Sequence, residues 1–409
     1  MKKLIKNTAI LATGLLMVTG CSGDFLDHTP TDSVDSGLAP TPENAERIFI
    51  GAWYNLMEYG TTYANIGYRA LSLADDMMGS DVVLRTANTY GFSATYKLNE
   101  VSIPTAGRVS FAWTTFYKTI DNCNSVISIK GDTKDEDFRY AQGQALALRA
   151  FCYLHLVQHY QFTYLKDKSA PCVPLYTEPT TSKTEPKGRA TVEEIYTQIF
   201  KDLEQAKTDL DGFTPSTAQE KYKPNVSVVN GLLARAYLLT GQYEEAAKAA
   251  KAAQEGYPLM KDAATYKGFN DISNSEWIWG HPQSTTQSDP SYNFYYVDAE
   301  EPDSYNSFMA DPHFYNLFSK NDIRRELFKW MREGYMGYCK FRIRADQTGD
   351  IVVMRSAEMY LIEAEANCHI GGKDAETQKL LVALNKDSGR NPAYTCTKTG
   401  DDLLQEVKL

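Results

Sequence analysis

Between Asn230 and Pro258 the chain carries a spacing of small and aromatic residues that restricts how its helices can pack. Leu233, Ala234, Tyr237, Gly241, Tyr243, Ala246, Ala250, Ala253 and Pro258 stand in one register. The small residues let two antiparallel helices approach closely, and Gly241 permits the turn between them. A helix pair of this kind cannot bury its apolar face alone, so neighbours must complete the stack.

The register is that of a tetratricopeptide repeat of about 34 residues, with Ala234 where the pattern has Gly and Ala250 where it has an aromatic. A weaker copy starts at Ala357, where EMYLIEAEANCHIGG precedes a helix near Ala375 to Asn385. Helix pairs that recur far apart in sequence predict a superhelical scaffold interrupted by insertions. The expected class is mainly α, with tetratricopeptide-like repeats, irregular loop-rich insertions and little β.

Other segments support helices of the same kind. From Val109, the residues Trp113, Tyr117, Ile120, Asn124 and Ile127 follow at steps of four and three, the spacing of one helical face. Trp113 therefore reads as a packing residue. The segment from Phe138, FRYAQGQALALRAFCYLHLVQHYQF, is apolar on several sides, which predicts a helix buried between neighbours. A loop punctuated by Pro171, Pro174, Pro179 and Pro186 ends at Thr191-Val192-Glu193-Glu194, a capping box that opens a helix with Ile195, Ile199, Leu203, Ala206 and Leu210 on one face.

Two regions break the helical period. One runs from Leu71 to Pro104 and contains Asp75, Asp76, Asp81, Arg85, Tyr90, Phe92 and Tyr96. The larger runs from about Tyr266 to Arg344. Within it, Glu276 to Trp279 reads as a short strand, which would put Trp277 and Trp279 on one face and Ile278 on the other. Thr286 to Phe318 then carries Tyr292, Phe294, Tyr295, Tyr296, Tyr305, Phe308, Phe314 and Tyr315 among Pro, Asp and Ser.

The amino terminus has Lys2, Lys3 and Lys6, an apolar run from Ala9 through Val18, then Thr19 and Gly20 before Cys21. Basic, apolar, small is the order of a secretion signal. The run is far short of the about 20 apolar residues of a membrane-spanning helix. Val18-Thr19-Gly20-Cys21 resembles a lipobox with Val in place of the usual Leu, so residues 1–20 are expected to be removed and Cys21 to carry lipid; the alternative is a plain signal peptide with a cysteine near its cut site. Residues 21–42 are polar and aperiodic, as a tether would be, and 43–409 are expected to form a single domain with insertions at about 71–104 and 266–344.

Composition narrows the partners. A net charge of -10 without clustered Lys and Arg argues against nucleic acid or an anionic bilayer surface. The cysteines after Cys21, at 123, 152, 172, 339, 368 and 396, show no CxxC pair and no metal-finger spacing, and read as core residues.

Taken together, Cys21 followed by FLDHTP, then FYKTIDNCNSVI, ALALRAFCYLHLVQHY, VPLYTEP leading to RATVEEIYTQIFKDLEQA, AYLLTGQYEEAAKAA and MRSAEMYLIEAEA resemble the SusD/RagB family of outer-membrane nutrient-binding lipoproteins, over nearly the whole chain. The resemblance implies a glycan- or peptide-binding lid over a SusC-like TonB-dependent transporter in a Gram-negative outer membrane. The repeats would face the transporter and the insertions the ligand, with no reaction catalysed and no cofactor. Family members continue beyond DDLLQEVKL with an Arg- and Glu-rich helix and a further segment, so the sequence reads as truncated, with an exposed apolar face expected near Leu403.

Sugar binding needs flat aromatic faces against pyranose CH groups, with polar side chains at the edge for the hydroxyls. The 27 tyrosines favour amphipathic contacts of this sort. The candidate ligand residues are Tyr292, Tyr295, Tyr296, Trp279, Asp76, Arg85 and Tyr96. Asp75 and Asp76 are an acid pair on paper, but adjacent residues do not usually converge on one glycosidic bond. His155 and His159 are four apart without the glutamate of HExxH, and read as packed residues rather than metal ligands. No GxxxxGK[ST], GxSxG or zinc spacing is present, so neither catalytic nor metal residues are assigned. Asp322-Ile323-Arg324 resembles the family's Asp-x-Arg element, with an internal ion pair as its expected role. Peptide capture, a lipid-anchored glycoside hydrolase and a protein-binding scaffold are the rival readings.

Overall fold

The long helix α5 (Glu136–Tyr160) is the centre of the molecule, and its sequence accounts for that position. Asp135 caps it by accepting from the amides of Asp137 and Phe138. Buried residues then occur on every side of it, among them Phe138, Ala141, Leu148, Phe151, Cys152 and Leu156, which only a helix surrounded by others can satisfy. The computed structural model describes residues 40–409 except 59, 61–62, 80, 86–88, 90, 133, 262, 287–297, 301–307 and 332–333. Contacts divide the chain into Met1–Pro40, which lies outside the described residues but for Pro40, and Thr41–Leu409.

Before the central helix come α1 (Pro42–Glu58), α2 (Gly67–Met78), strand β1 (Val82–Leu84), the single turn α3 (Ser93–Tyr96) and α4 (Gly107–Ser128). After it, β2 (Pro171–Pro174) and β3 (Arg189–Thr191) pair antiparallel and lead into α6 (Val192–Asp209). The expected capping box is formed: the Glu194 amide donates to Thr191 Oγ1 at 3.1 Å, and the Thr191 amide donates to Glu194 Oε2 at 2.7 Å. Helices α4, α5 and α6 pack in sequence, and α1 lies against α4 and α5.

The repeat helices α7 (Val226–Leu239) and α8 (Tyr243–Gln254) form the expected antiparallel pair, with Gly241 in the left-handed region at φ 76°. Helix α8 packs on its other side against the second copy, which follows only after a long interruption. That interruption holds β4 (Trp277–His281), β5 (Phe308–Ala310), α9 (Pro312–Leu317), β6 (Phe328–Trp330), β7 (Met336–Tyr338) and β8 (Ile351–Arg355). The second copy is α10 (Ser356–Ile370) with α11 (Asp374–Val382), followed by α12 (Gly400–Lys408). No helix among the described residues is long and apolar enough to cross a membrane.

Several local expectations are corrected. The region beginning at Leu71 is not irregular from its start, because α2 continues to Met78 and carries Asp75 and Asp76. The larger insertion contributes three strands, β5, β7 and β6, of an ordered four-stranded sheet in the order β1-β5-β7-β6. Trp277 and Trp279 do not share a face: Trp277 is opposite Arg355 and Trp279 opposite Met354, a bulge that sets two residues of β4 against one step of β8. As a result Trp277 joins a small cluster with Phe269 and Met336, while Ile278 and Trp279 join the main core. Leu403 is fully buried with Ala364 and Leu381 instead of exposed, because α12 folds back on α10 and α11. Cys123, Cys152, Cys172 and Cys339 are buried as expected, whereas Cys368 and Cys396 are only partly so.

Candidate ligand-binding surface

The two non-helical regions, far apart in the chain, meet as one sheet. Strand β1 of the first pairs antiparallel with β5 of the second, Val82 opposite Ala310 and Leu84 opposite Phe308. The Asp311 amide extends the pairing by donating to the Asp81 carbonyl at 2.9 Å. Phe92 closes the junction from below with an edge contact to Phe308, ring centroids 5.3 Å apart.

One row of residues crosses this sheet: Val82, Ala310, Met336 and Trp330. Cross-strand neighbours project to the same face. Ala310 and Met336 are buried, but Trp330, on the edge strand β6, is 61% exposed. A tryptophan so exposed on an ordered strand is an open apolar plate, because burying an indole is ordinarily a large gain. Next to it in the chain the Met331 amide donates to the Tyr335 carbonyl at 2.7 Å. Arg85, just past β1, sets its guanidinium 5.7 Å from the Tyr335 ring centre, within cation–π range.

Charged groups surround the sheet. Arg342 pairs with buried Asp298 at 3.2 Å and with Glu300, and Lys329 reaches Glu300 at 3.3 Å. Lys340 lies 4.4 Å from the Phe269 ring centre. Burial, reinforced by the positive charges of Arg355 and Arg390, pulls its ammonium well below the usual lysine range. Asp322 and Arg324 form the expected ion pair at 2.6 Å, and the same carboxylate accepts from the Arg324 amide.

The candidate residues scatter around this surface. Arg85 belongs to it. Asp76 lies in the last turn of α2, exposed, and its packed surroundings, with Asp75 and Asp81 nearby, raise its carboxyl above the ordinary range. Tyr96 is half-buried against the main core. Trp279 is excluded as a stacking platform: it is fully buried, 4.9 Å from Trp53 and 5.0 Å from Phe151 between ring centres, and its indole N–H donates to the Tyr222 carbonyl at 2.9 Å. Tyr292, Tyr295 and Tyr296 lie outside the described residues, as does Cys21.

Asp75, in the acid pair, accepts from His159 Nε2 at 3.1 Å, and Asp76 is exposed. His159 Nδ1 donates to the His155 carbonyl at 2.8 Å, so the ring donates at both nitrogens, the protonated form. That pairing holds its pKa above the usual value against the opposing effect of burial. His155 is packed face to face with Phe116, centroids 5.3 Å apart. Among the described residues no group of three or more His, Cys, Asp or Glu is placed to hold a metal.

Comparison with known proteins is consistent with this architecture. A family model, SusD-like and described as starch-binding and associating with the outer membrane, matches residues 24–238. A SusD-like carbohydrate-binding protein from Bacteroides vulgatus is 36% identical, with a TM-score of 0.79 over 90% of this chain and 79% of its own. The chain belongs to the SusD-like family. A SusD superfamily protein from Bacteroides thetaiotaomicron (22% identity, TM-score 0.72, 86% of this chain and 81% of its own) shares the fold. So does surface glycan-binding protein A from the same species (15% identity, TM-score 0.68, 90% and 86%). No curated protein matches.

Of the candidates that the sequence of this SusD-like chain suggested, Arg85 lies at the sheet, and Trp330 and Tyr335 were not among them. The available signal was slight. Phe328-Lys329-Trp330 alternates for only three residues, too few to separate a half-exposed strand from a loop.

Proposed function

We propose that this SusD-like protein is a lipid-anchored, non-catalytic surface receptor that captures a glycan and delivers it to a SusC-like TonB-dependent transporter. The observation that carries the reading is the exposed Trp330 plate on the edge strand of the sheet that joins the two non-helical regions. A pyranose ring set on the indole would bury its CH face there. Tyr292, Tyr295 and Tyr296 lie in the segment that joins β4 to β5, the next strand of this sheet, and are proposed to add to the same surface. The helical repeats, which carry no comparable plate, are assigned to the transporter side. Lipid on Cys21 and the tether to Pro42 would hold the assembly at the outer membrane.

The test is retention in native gels containing amylopectin, xyloglucan, arabinan or galactomannan, beside titration with peptide digests. Trp330→Ala should lose most of the retention shown by the wild type. Wild-type retention in the variant would remove this surface from the proposal, and binding of peptides alone would replace glycan by peptide as the cargo.

A further inference from the structure

A second aromatic groove lies away from the sheet, between α4 and the chain that follows β2. It encloses about 500 Å³, within the size range of small-ligand sites. Trp113, Tyr117 and Tyr176 form its apolar wall and Asp121, Thr180 and Lys187 its rim. Trp113 and Tyr117 are one helical turn apart on α4, with ring centres 4.8 Å apart, and Tyr117 meets Tyr176 edge-on at 6.2 Å. Tyr160 continues the row behind Trp113 at 5.1 Å.

These rings are held from behind. Tyr117 donates its hydroxyl to the Pro174 carbonyl at 2.6 Å, and Tyr160 donates to the Val109 carbonyl at 2.7 Å. The backbone of Tyr176 is fixed by the Tyr153 hydroxyl, which accepts from its amide at 2.8 Å, and by Asn124, which donates to its carbonyl at 3.3 Å. Asn124 is in turn held by Arg149 Nη1 at 2.7 Å. A wall so restrained loses little freedom when a ligand arrives, which favours affinity.

The rim indicates the ligand class. Thr180, Thr181 and Thr184 are exposed there. Asp121 accepts from the Thr180 amide at 2.7 Å, and Lys187 donates to the Leu175 carbonyl at 3.0 Å while lying 5.3 Å from the Tyr176 ring centre. The two charges are opposite in sign and already engaged, so the groove offers no net charge to an anionic or cationic ligand. Aromatic walls with hydroxyls and balanced charge suit a neutral sugar chain.

We infer that this groove is a second carbohydrate-contacting site, which holds a further stretch of the same neutral polysaccharide. The inference rests on the glycan-binding reading above, and Trp113, which its helical period marks as packing, becomes its principal contact. Retention in the same four polysaccharide gels, and calorimetry with di- and trisaccharides of whichever polymer is retained, are measured for the full chain, Trp113→Ala, Thr180→Trp and Trp330→Ala. Thr180→Trp fills the rim from an exposed position, so it reports even if Trp113→Ala fails to fold.

Trp113→Ala and Thr180→Trp are expected to weaken polysaccharide retention about five- to tenfold, leaving short-oligosaccharide affinity unchanged. Trp330→Ala should weaken both. Wild-type retention by Thr180→Trp and by folded Trp113→Ala, with Trp330→Ala defective, would overturn the second site and leave the glycan reading standing. Absence of retention for the wild type in every gel would overturn both.

Discussion

Arg149 and Asp202 form a bidentate ion pair in the centre of the helical scaffold, Nε to Oδ2 at 2.8 Å and Nη2 to Oδ1 at 2.6 Å, with side chains only 4% and 2% exposed. Nη1 of the same arginine donates to Asn124 and to the Thr177 carbonyl, and Gln198 donates to Asp202. The pair ties α5 to α6 and, through Asn124, to α4 and the loop after β2. Its hydrogen-bond capacity is well used, as a charge buried this deeply requires.

Removing one partner should therefore cost much more than removing both. Asp202→Ala leaves a buried guanidinium uncompensated and is expected to lower stability by about 3–5 kcal/mol, whereas an Arg149→Met, Asp202→Leu double variant should recover much of the loss. Urea unfolding of the three proteins checks this. Equal losses in single and double variants would mean that the pair is not coupled.

The Asp75–His159 contact makes a pH-dependent link between α2 and α5. Burial alone would lower the pKa of His159, but the bond to Asp75, the charge of Asp75 and the bond to the His155 carbonyl together raise it in the folded state. A raised histidine contributes stability that is complete below its unfolded pKa of about 6.5 and disappears as pH rises through the folded value. Melting temperature should accordingly fall over that window in the wild type and fall less in Asp75→Asn. Parallel pH profiles for the two proteins would contradict the assignment.

Two glycines on helices should respond oppositely to alanine. At exposed Gly51 in α1 a Cβ meets nothing within 4 Å, so Gly51→Ala should stabilise by about 0.5–1 kcal/mol through the unfolded chain's lost freedom. At Gly143 in α5 a Cβ would come within 2.8 Å of Leu210 Cγ and 2.9 Å of Asp209 Cβ. Overpacking of about 1–3 kcal/mol then exceeds the helical gain of about 1 kcal/mol. Thermal unfolding of each variant reads the sign directly.

Cys21→Ala should release the protein into the soluble fraction of cells and impair glycan uptake, while leaving ligand affinity in solution unchanged. Fractionation followed by gel retention tests both parts. A variant that stays with the membrane would show that Cys21 is not the anchor.

What the sequence determined by itself was the helical scaffold and the family. Those signals are local: the capping box at Thr191 and Glu194, the three-four period of Trp113, Tyr117 and Ile120, and the small residues around Gly241 act over a turn or two of chain. Long, ordered segments of this kind also carried the resemblance to SusD/RagB proteins. The tertiary structure alone decided the sheet on which the proposed ligand surface rests. Strand pairing is non-local, and nothing near Val82 announces Ala310 as its partner, so the joining of the two non-helical regions, the exposure of Trp330 and the approach of Arg85 to Tyr335 were illegible. The bulge in β4 shows the same limit: one extra residue moved Trp279 into the core and parted it from Trp277, a choice made by packing against Trp53 and Phe151 rather than by alternation along the strand. For Trp113 the helical period gave the correct face, and only its neighbours across the groove, Tyr176 and the threonine-rich rim, gave that face an opening.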